Sequence, residues 1–571
     1  VNWISAYAYT PQDPGLFIVA AALEQEKTRP ALEEILAVLF RCKHTLVSPT
    51  ELARARTNFE SDFIYRRETV QGQARQFGYF LTVFSDPDYE HRYLEGLAKV
   101  TREDLQRVAQ RYFTTDSLSL VLLGATAGVS APTATEVQAL CDRIDNAPAT
   151  QELSPLLLRK NNDHVSLTTL DNGVRLLVKK HHAIPVMSLQ AVMLGGLLFE
   201  NESNSGINNL LAGLLTRGSE QFSRLALAEA VESLAGSLHG FSGRNSLGLS
   251  GAFLTTPDSD EALDLFLETL LHPVFPADEV EKRRREILLA LKNREDDLAQ
   301  IAFDLFYATL FTVHPYRFSI LGNEESVHTL QREQMVAYYR TLLNPAQLVI
   351  SVVGDVDTAR VVERLRAALE QLPPTLTVPP LPPTEPRPAS IRQQHRTVDK
   401  QQAHIVLGYQ GVSLAQPERY SLKVLEAILS RQGGRLFYEL REQRALAYSV
   451  SAFNVEGVTP GVCGVYLGTD PSKVEEATAA ARSELARAHE EPVSPAELEQ
   501  AKKYLTGAYE ISLQSNSAQA EQMAFNELYG LGYDNGRRYL AAINAVTAED
   551  LRRVAQAYFD DNAHTLVIVG R

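Results

Sequence analysis

Cysteine is nearly missing. Cys42, Cys141 and Cys463 are the only three in 571 residues, and they lie far apart. That excludes a disulfide framework and a cysteine-built zinc cluster, and leaves three small hydrophobes for the interior. Long apolar runs are missing too. No stretch of 18 apolar residues occurs, so no membrane span is expected, and no signal peptide is visible. Positive charge is in deficit, with 55 Lys and Arg against 70 Asp and Glu and a net charge of -15. A field of that sign speaks against nucleic acid or anionic lipid as a partner. The compositional mark of disorder is absent, because 45% of residues are hydrophobic and only 22% are charged. At about 100–200 residues per domain, the length accommodates three or four domains. The 13 histidines form neither H-E-x-x-H nor H-x-x-E-H. His181 and His182 are adjacent and leave a strand on opposite sides. His314, in HPYRFSILG, reads as structural, since Pro315 and Gly322 suggest a rigid turn. No Gly-rich phosphate loop, G-x-S-x-G elbow or cysteine nucleophile signature is present.

What the chain does contain is a copy of itself. TREDLQRVAQRYF at 101–113 returns as TAEDLRRVAQAYF at 547–559, 446 residues on. The same offset aligns VSPTEL (47–52) with VSPAEL (493–498), and LVLLG (120–124) with LVIVG (566–570), without a gap. A looser third copy occupies 330–357. Each pairs helix-period apolar residues with a short strand-like run ending at Gly. Residues 1–124 therefore read as the back part of a lobe, N-terminally incomplete. A linker follows at 125–164, with one short helix around Thr135–Ile144. Residues 165–357 form a related lobe that opens with a hairpin around Asp171-Asn172-Gly173. A connector at 358–399 includes the Pro-rich span 373–390, which can be neither helix nor central strand. The last lobe is 400–571. Strand and helix signals mix in every lobe, which predicts α+β architecture. The segment Ser188–Leu194 reads as an edge strand to which an extended peptide could add.

At this point a resemblance becomes specific. Residues Gly195 through Glu200, then GINNLLAGLLTRGS (206–219), VEKRRREILLALKNREDD (280–297), HPYRFSILGNEES (314–326) and LVISVVGDVD (348–357) follow in order. Together they resemble the catalytic lobe of the pitrilysin/insulinase family of inverted zinc metallopeptidases. GGRLFYELREQRALAYSVSAF (433–453) resembles the family's partner lobe. The resemblance implies mixed sheets packed against helices, arranged as a clamshell around a peptide chamber. In active members, two His four residues apart and a distal Glu hold Zn²⁺, and a Glu before the second His is the general base. Those positions here are Asn209, Ala212, Gly213 and Leu289, or Ala290 if the register is one residue later. Asparagine is a poor zinc ligand and the others have no donor, so this lobe is expected to hold no metal and to have no catalytic residues.

The family's partner lobe also carries an Arg and a Tyr that face the zinc across the chamber, matching Arg441 and Tyr448. Read from the residues alone, Arg441 would pair with Glu439 or Glu442 and Tyr448 would be half-buried. The resemblance implies instead that they grip substrate and donate to its oxyanion. Shifting Tyr448 back by the repeat offset gives Asn2, so the first lobe has lost its Tyr. The resemblance thus implies the non-catalytic portion of a zinc-dependent peptidase, with Arg441 and Tyr448 serving a zinc site in an N-terminal lobe absent from this chain. Its alternative is a catalytically dead scaffold of the same fold. The implied partners are an unfolded peptide or small protein substrate, and the missing N-terminal part or a partner subunit. By resemblance to long bacterial relatives, the location would be periplasmic.

Overall fold

VMSLQAVML and VISVVG are almost unbroken apolar runs, and an unbroken run suits a strand covered on both faces. In the computed structural model of the chain they are such strands. The structure describes residues 3–571 except 12–13, 24–26, 50, 54, 57–58, 60–62, 64–68, 87–88, 123–131, 145–149, 152–164, 183, 256–258, 374–379 and 432. The chain divides into two units, Val1–Leu158 and Arg159–Arg571.

The first unit contains β1 (Trp3–Tyr9) and β2 (Leu16–Ala22), paired antiparallel, followed by α1 (Thr28–His44), α2 (Val70–Phe84), α3 (Tyr89–Lys99), α4 (Arg102–Tyr112) and α5 (Ala134–Ile144). Residues 118–122 make no strand, and Val121 is 87% exposed. Asn2, the shifted equivalent of Tyr448, lies outside the described residues, as does most of the 125–164 stretch.

The second unit holds two α+β lobes. The first has β3 (Val165–Thr169), β4 (Arg175–Lys180), β5 (Val186–Leu194), α6 (Ile207–Leu214), α7 (Arg224–Ser233), β6 (Ser237–Ser242), β7 (Ser246–Leu254), α8 (Ser259–Leu271), α9 (Ala277–Arg294), α10 (Leu298–Leu310), α11 (Glu324–Thr329), α12 (Arg332–Leu342), β8 (Val349–Gly354) and α13 (Thr358–Leu369). Its six-stranded sheet runs β3-β4-β8-β5-β7-β6. The second lobe has β9 (Arg392–Thr397), β10 (Ala403–Gln410), α14 (Glu418–Ser430), β11 (Ala447–Val455), β12 (Val462–Thr469), α15 (Val474–Glu490), α16 (Pro495–Ser512), α17 (Asn516–Leu528), α18 (Asn535–Ala545), α19 (Ala548–Tyr558) and β13 (Thr565–Gly570). Its five-stranded sheet runs β9-β13-β10-β12-β11.

The offset of 446 carries the elements with it. Shifted by that number, α1, α3 and α4 become α15, α18 and α19 residue for residue, and β2 and α2 begin where β12 and α17 begin. Even the caps repeat: Thr101 and Asp104 form a capping box on α4, as Thr547 and Asp550 do on α19. A gapless repeat with the same caps has to place its helix ends alike.

Within the second unit the two lobes exchange helices. α10 of the first packs on β9, β10 and β13 of the second, and α17 of the second packs on β5 and β8 of the first. Ala520, Met523, Ala524 and Leu528 of α17 close over Leu177, Val192, Val349 and Val353. This covers the second face of β5 and corrects one expectation. Residues 188–194 are not at an edge, since β5 is hydrogen-bonded to β8 on one side and β7 on the other. A strand paired on both sides cannot take up a peptide. Its two polar residues, Ser188 and Gln190, are both buried, and Ser188 shares a hydrogen bond with Ser517 of α17 at 3.0 Å. The edges of this sheet are β3 and β6.

The Pro-rich connector is anchored as well as stiff. Glu385, 2% exposed, accepts from the backbone N–H groups of Thr312, Val313 and His314, each at 2.8 Å, and from the Thr312 hydroxyl at 2.7 Å. Burial raises the Glu385 pKa, but these donors outweigh it and hold the carboxyl below its ordinary value. Next to it, His314 is buried. Its Nδ1 accepts from the Tyr316 N–H at 3.2 Å, so Nε2 carries the proton and donates to Thr459 Oγ1 at 2.7 Å. Burial drives the imidazole pKa down to about 4, against a smaller pull upward from Glu385. The unfolded chain, with His near 6.5, binds more protons than the fold between pH 6.5 and 4, so stability falls as the pH drops through that window. The loss at this site amounts to about 3 kcal/mol. Thermal melts from pH 7.5 to 4.5 should show the decline, with a shallower slope in His314→Asn. Equal slopes would remove His314 as its source.

Candidate functional site

The site begins at a buried carboxylate. Glu200 follows the glycines 195 and 196 and accepts from the N–H groups of Gly206 (2.8 Å) and Asn208 (3.1 Å) and from Asn208 Nδ2 (2.8 Å). Those donors belong to the first turn of α6, so Glu200 caps that helix and fixes its entry. Burial pushes its pKa up to about 7 in spite of them. Gly206 takes φ +89, and a Cβ there would lie 2.7 Å from the Leu321 carbonyl oxygen, so only glycine fits this start. α6 thus presents Asn209 and Gly213, one turn apart, toward α9.

What meets them is Arg283. Its Nη2 donates to Asn209 Oδ1 at 2.9 Å. Its Nε lies 2.2 Å from where a Cβ on residue 213 would stand, so the guanidinium stem rests in the space that glycine leaves open. Nη1 reaches Glu286 at 3.2 Å. Glu286 also takes both oxygens to Arg217 Nη2, at 2.8 and 2.7 Å. Arg217 in turn binds Glu279 (3.2 Å) and, through Nε, the Gly213 carbonyl (3.0 Å). Burial raises Glu286, and the hydrogen bonds from Arg217 and Arg283 outweigh it and lower its pKa. Arg283 and Glu286 stand three apart on α9 and so share a face. Leu289 and Ala290, the two registers open for the distal position, are both exposed, and neither brings a donor.

This donor set does not fit a zinc ion. Asn209 offers one amide, Ala212, Gly213, Leu289 and Ala290 offer nothing, and a permanent cation stands beside Asn209. Among the described residues, no group of three His, Cys, Asp or Glu could hold a metal ion. Arg283 escaped the sequence reading because it sits in the run Lys282-Arg283-Arg284-Arg285, which resembles a solvated face.

Arg441 and Tyr448 lie on the other lobe. Arg441 is on a π-helical turn, Phe437–Gln443, with its guanidinium 5.0 Å over the Phe437 ring. Among the described residues it makes no ion pair with Glu439 or Glu442. Tyr448 stands at an irregularity in edge strand β11, where the pairing with β12 shifts between Ala447 and Ser449. It is 60% exposed, and its hydroxyl has no hydrogen-bond partner among the described residues. It lines an open cleft of about 730 Å³ with Asn293, Asp296, Asp297, Lys400 and His404. Lys400 pairs with Asp296 at 3.0 Å. His404 Nδ1 meets the Tyr466 hydroxyl at 2.8 Å, and burial lowers its pKa. The structure therefore brings Asn209, Gly213 and Arg283 together and keeps Tyr448 apart from them. Asn293 is ten residues beyond Arg283, about 15 Å along α9.

Comparison with known proteins adds relatives to this geometry. Residues 176–324 match the model described as "Insulinase (Peptidase family M16)", and residues 329–505 match "Peptidase M16 inactive domain". An uncharacterized zinc protease of Streptomyces coelicolor is 28% identical over 399 residues, 69% of this chain and 86% of that protein. An uncharacterized zinc protease of Bacillus subtilis is 23% identical over 397 residues, 69% of this chain and 95% of the relative. In fold, the chain resembles the peptidase M16 inactive domain from Pseudomonas fluorescens, with a TM-score of 0.67 at 20% identity over 71% of this chain and 98% of that one. It also resembles a protease from Helicobacter pylori, with a TM-score of 0.66 at 20% identity over 72% and 100%.

Proposed function

The chain belongs to the insulinase (M16) peptidase family, and from that premise we propose that it is the non-catalytic portion of a zinc-dependent peptidase. In this reading it walls a peptide-binding chamber. It supplies Arg441 and Tyr448 to a zinc site held by a separate lobe of the full-length protein. Arg283 carries the argument: the chain's own metal position is filled by a guanidinium, so chemistry has to come from elsewhere. Tyr448 supports it from the other side, since its free hydroxyl can donate to a carbonyl oxygen as negative charge develops there. Arg441 has five donors and no carboxylate partner, which suits it to hold a substrate carbonyl.

The test compares the 571-residue chain with the full-length protein. Zinc content after gel filtration and cleavage of a quenched fluorescent peptide are measured on both. The expected result is zinc and cleavage in the full-length protein and neither in the chain. Stoichiometric zinc in the isolated chain would overturn the reading. Full-length protein that holds no zinc and cleaves nothing would turn it into a scaffold.

A further inference from the structure

Both lobes of the second unit reach an edge strand by the same route. A helix ends, an alanine turns the chain at φ +46, and the strand starts two residues later: Ala235 before β6, Ala445 before β11. In the lobe 165–357 the route is regular. α7 stays α-helical to Ser233, the Gly236 N–H returns to the Val231 carbonyl five residues back, and β6 pairs with β7 without a shift. In the lobe 400–571 it is widened twice. The turn Phe437–Gln443 is π-helical, and the Leu446 N–H returns to the Leu440 carbonyl six residues back. In the strand, Ala447 pairs with Thr469 and Ser449 with Gly468, so Tyr448 is an added residue with no partner across the ladder. Leu440, like Val231, is buried, and the next residue in the widened turn is Arg441. Each irregularity thus adds one residue to a path that the related lobe makes without it, and each carries one member of the pair. Insertions of either kind re-aim side chains, and a departure that the fold does not need points to function.

We infer that the π turn and the bulge together hold Arg441 and Tyr448 clear of their own core, and that Thr469 is the positioning residue that fixes the aim of Tyr448. This rests on the proposed function, which gives the pair its task. The stretch between the two irregularities is clipped by side chains from one segment. Thr469 is fully buried and its hydroxyl donates to the Leu446 carbonyl at 2.5 Å. Lys473 Nζ donates to the Ala445 carbonyl at 2.9 Å, and Arg444 pairs with Glu476 at 2.9 Å. Thr469 also faces Ala447 across the ladder, so the residue that borders the bulge fixes the carbonyl just before it. A bulge in an edge strand can otherwise slip by one residue. That slip would bring Tyr448 into the ladder and carry its ring to the opposite face of the sheet.

Thr469→Val keeps the shape and removes the hydroxyl. In the full-length protein it should lower kcat about tenfold with KM within about twofold of wild type, since a small misplacement of a group that acts in the transition state is costly. Thr469→Ser, which keeps the hydroxyl, should keep the wild-type rate. In a Tyr448→Phe background, Thr469→Val should change kcat by less than about twofold, because nothing is left to aim. Lys473→Met, a change outside the core, should give a smaller loss of the same kind. In the 571-residue chain, hydrogen exchange read by mass spectrometry should quicken at least about fivefold over residues 444–450 in Thr469→Val and stay as it was over 516–528. Wild-type kcat in Thr469→Val while Tyr448→Phe is slow overturns the inference alone. So does a loss that persists in the Tyr448→Phe background, or unchanged exchange over 444–450. Wild-type turnover in Tyr448→Phe itself sinks the proposed function, and this inference with it.

Discussion

If the proposed function holds, Tyr448→Phe in the full-length protein should lower kcat by about 10²–10³, the usual cost of one oxyanion donor, and leave the melting temperature where it was. The two halves of that expectation have separate causes. The Tyr448 hydroxyl has no hydrogen-bond partner among the described residues and the ring is mostly exposed, so removing one oxygen should take no interaction from the native state. A donor that engages only as charge develops lowers kcat and kcat/KM together and leaves KM alone. Arg441→Ala should act differently. In the proposed role its donors hold a ground-state carbonyl, so KM should rise as well. Its contact with the Phe437 ring is exposed and worth under about 1 kcal/mol, so stability should barely move. Steady-state kinetics and thermal melts on the same preparations separate these outcomes. Unchanged turnover in Tyr448→Phe would leave this chain as chamber wall only.

The second large effect is on stability. Glu385→Ala should cost about 2–4 kcal/mol, because it takes the shared acceptor from three backbone N–H groups and a hydroxyl, with the His314 N–H buried among them. Glu385→Gln keeps one acceptor oxygen and should lose about half as much. The ionic part of the wild-type contribution should fade as the pH falls below the ordinary carboxylate range, since a carboxyl with a lowered pKa stabilises fully above its unfolded value and stops as the pH drops through its folded one. Urea midpoints at pH 7 and along a descent through that range read both. A midpoint in Glu385→Ala equal to wild type at pH 7 would show that the loop 312–314 keeps its shape without this anchor.

Why some of this was legible in the sequence and some was not follows from the range of each signal. The repeat, the hairpin at Asp171–Gly173 and the α+β pattern are local. Propensity, turn chemistry and period act within a few residues, so they survive being read one segment at a time. The lack of zinc donors at 209, 212 and 213 was legible for the same reason, as residue types at fixed spacing. Arg283 and Glu385 were not. Each is an ordinary charged residue in a charged or Pro-rich stretch, and each acquires its role from a partner about seventy positions away. The strand 186–194 was read as an edge because its neighbour β8 and the covering helix α17 lie about 160 and more than 300 residues further along the chain.

The guanidinium over Gly213 also sets an order for any attempt to build a metal site here. A side chain larger than glycine at 213 meets the Arg283 stem before it meets anything else. A carboxylate added on the facing turn of α9 would have that arginine for a partner ahead of any metal. Removing Arg283 alone takes a hydrogen-bond partner from Asn209 and Glu286 and brings no ligand in exchange. Histidine ligands and the loss of Arg283 therefore have to be introduced together, and a stepwise redesign of this lobe should stall at each single change.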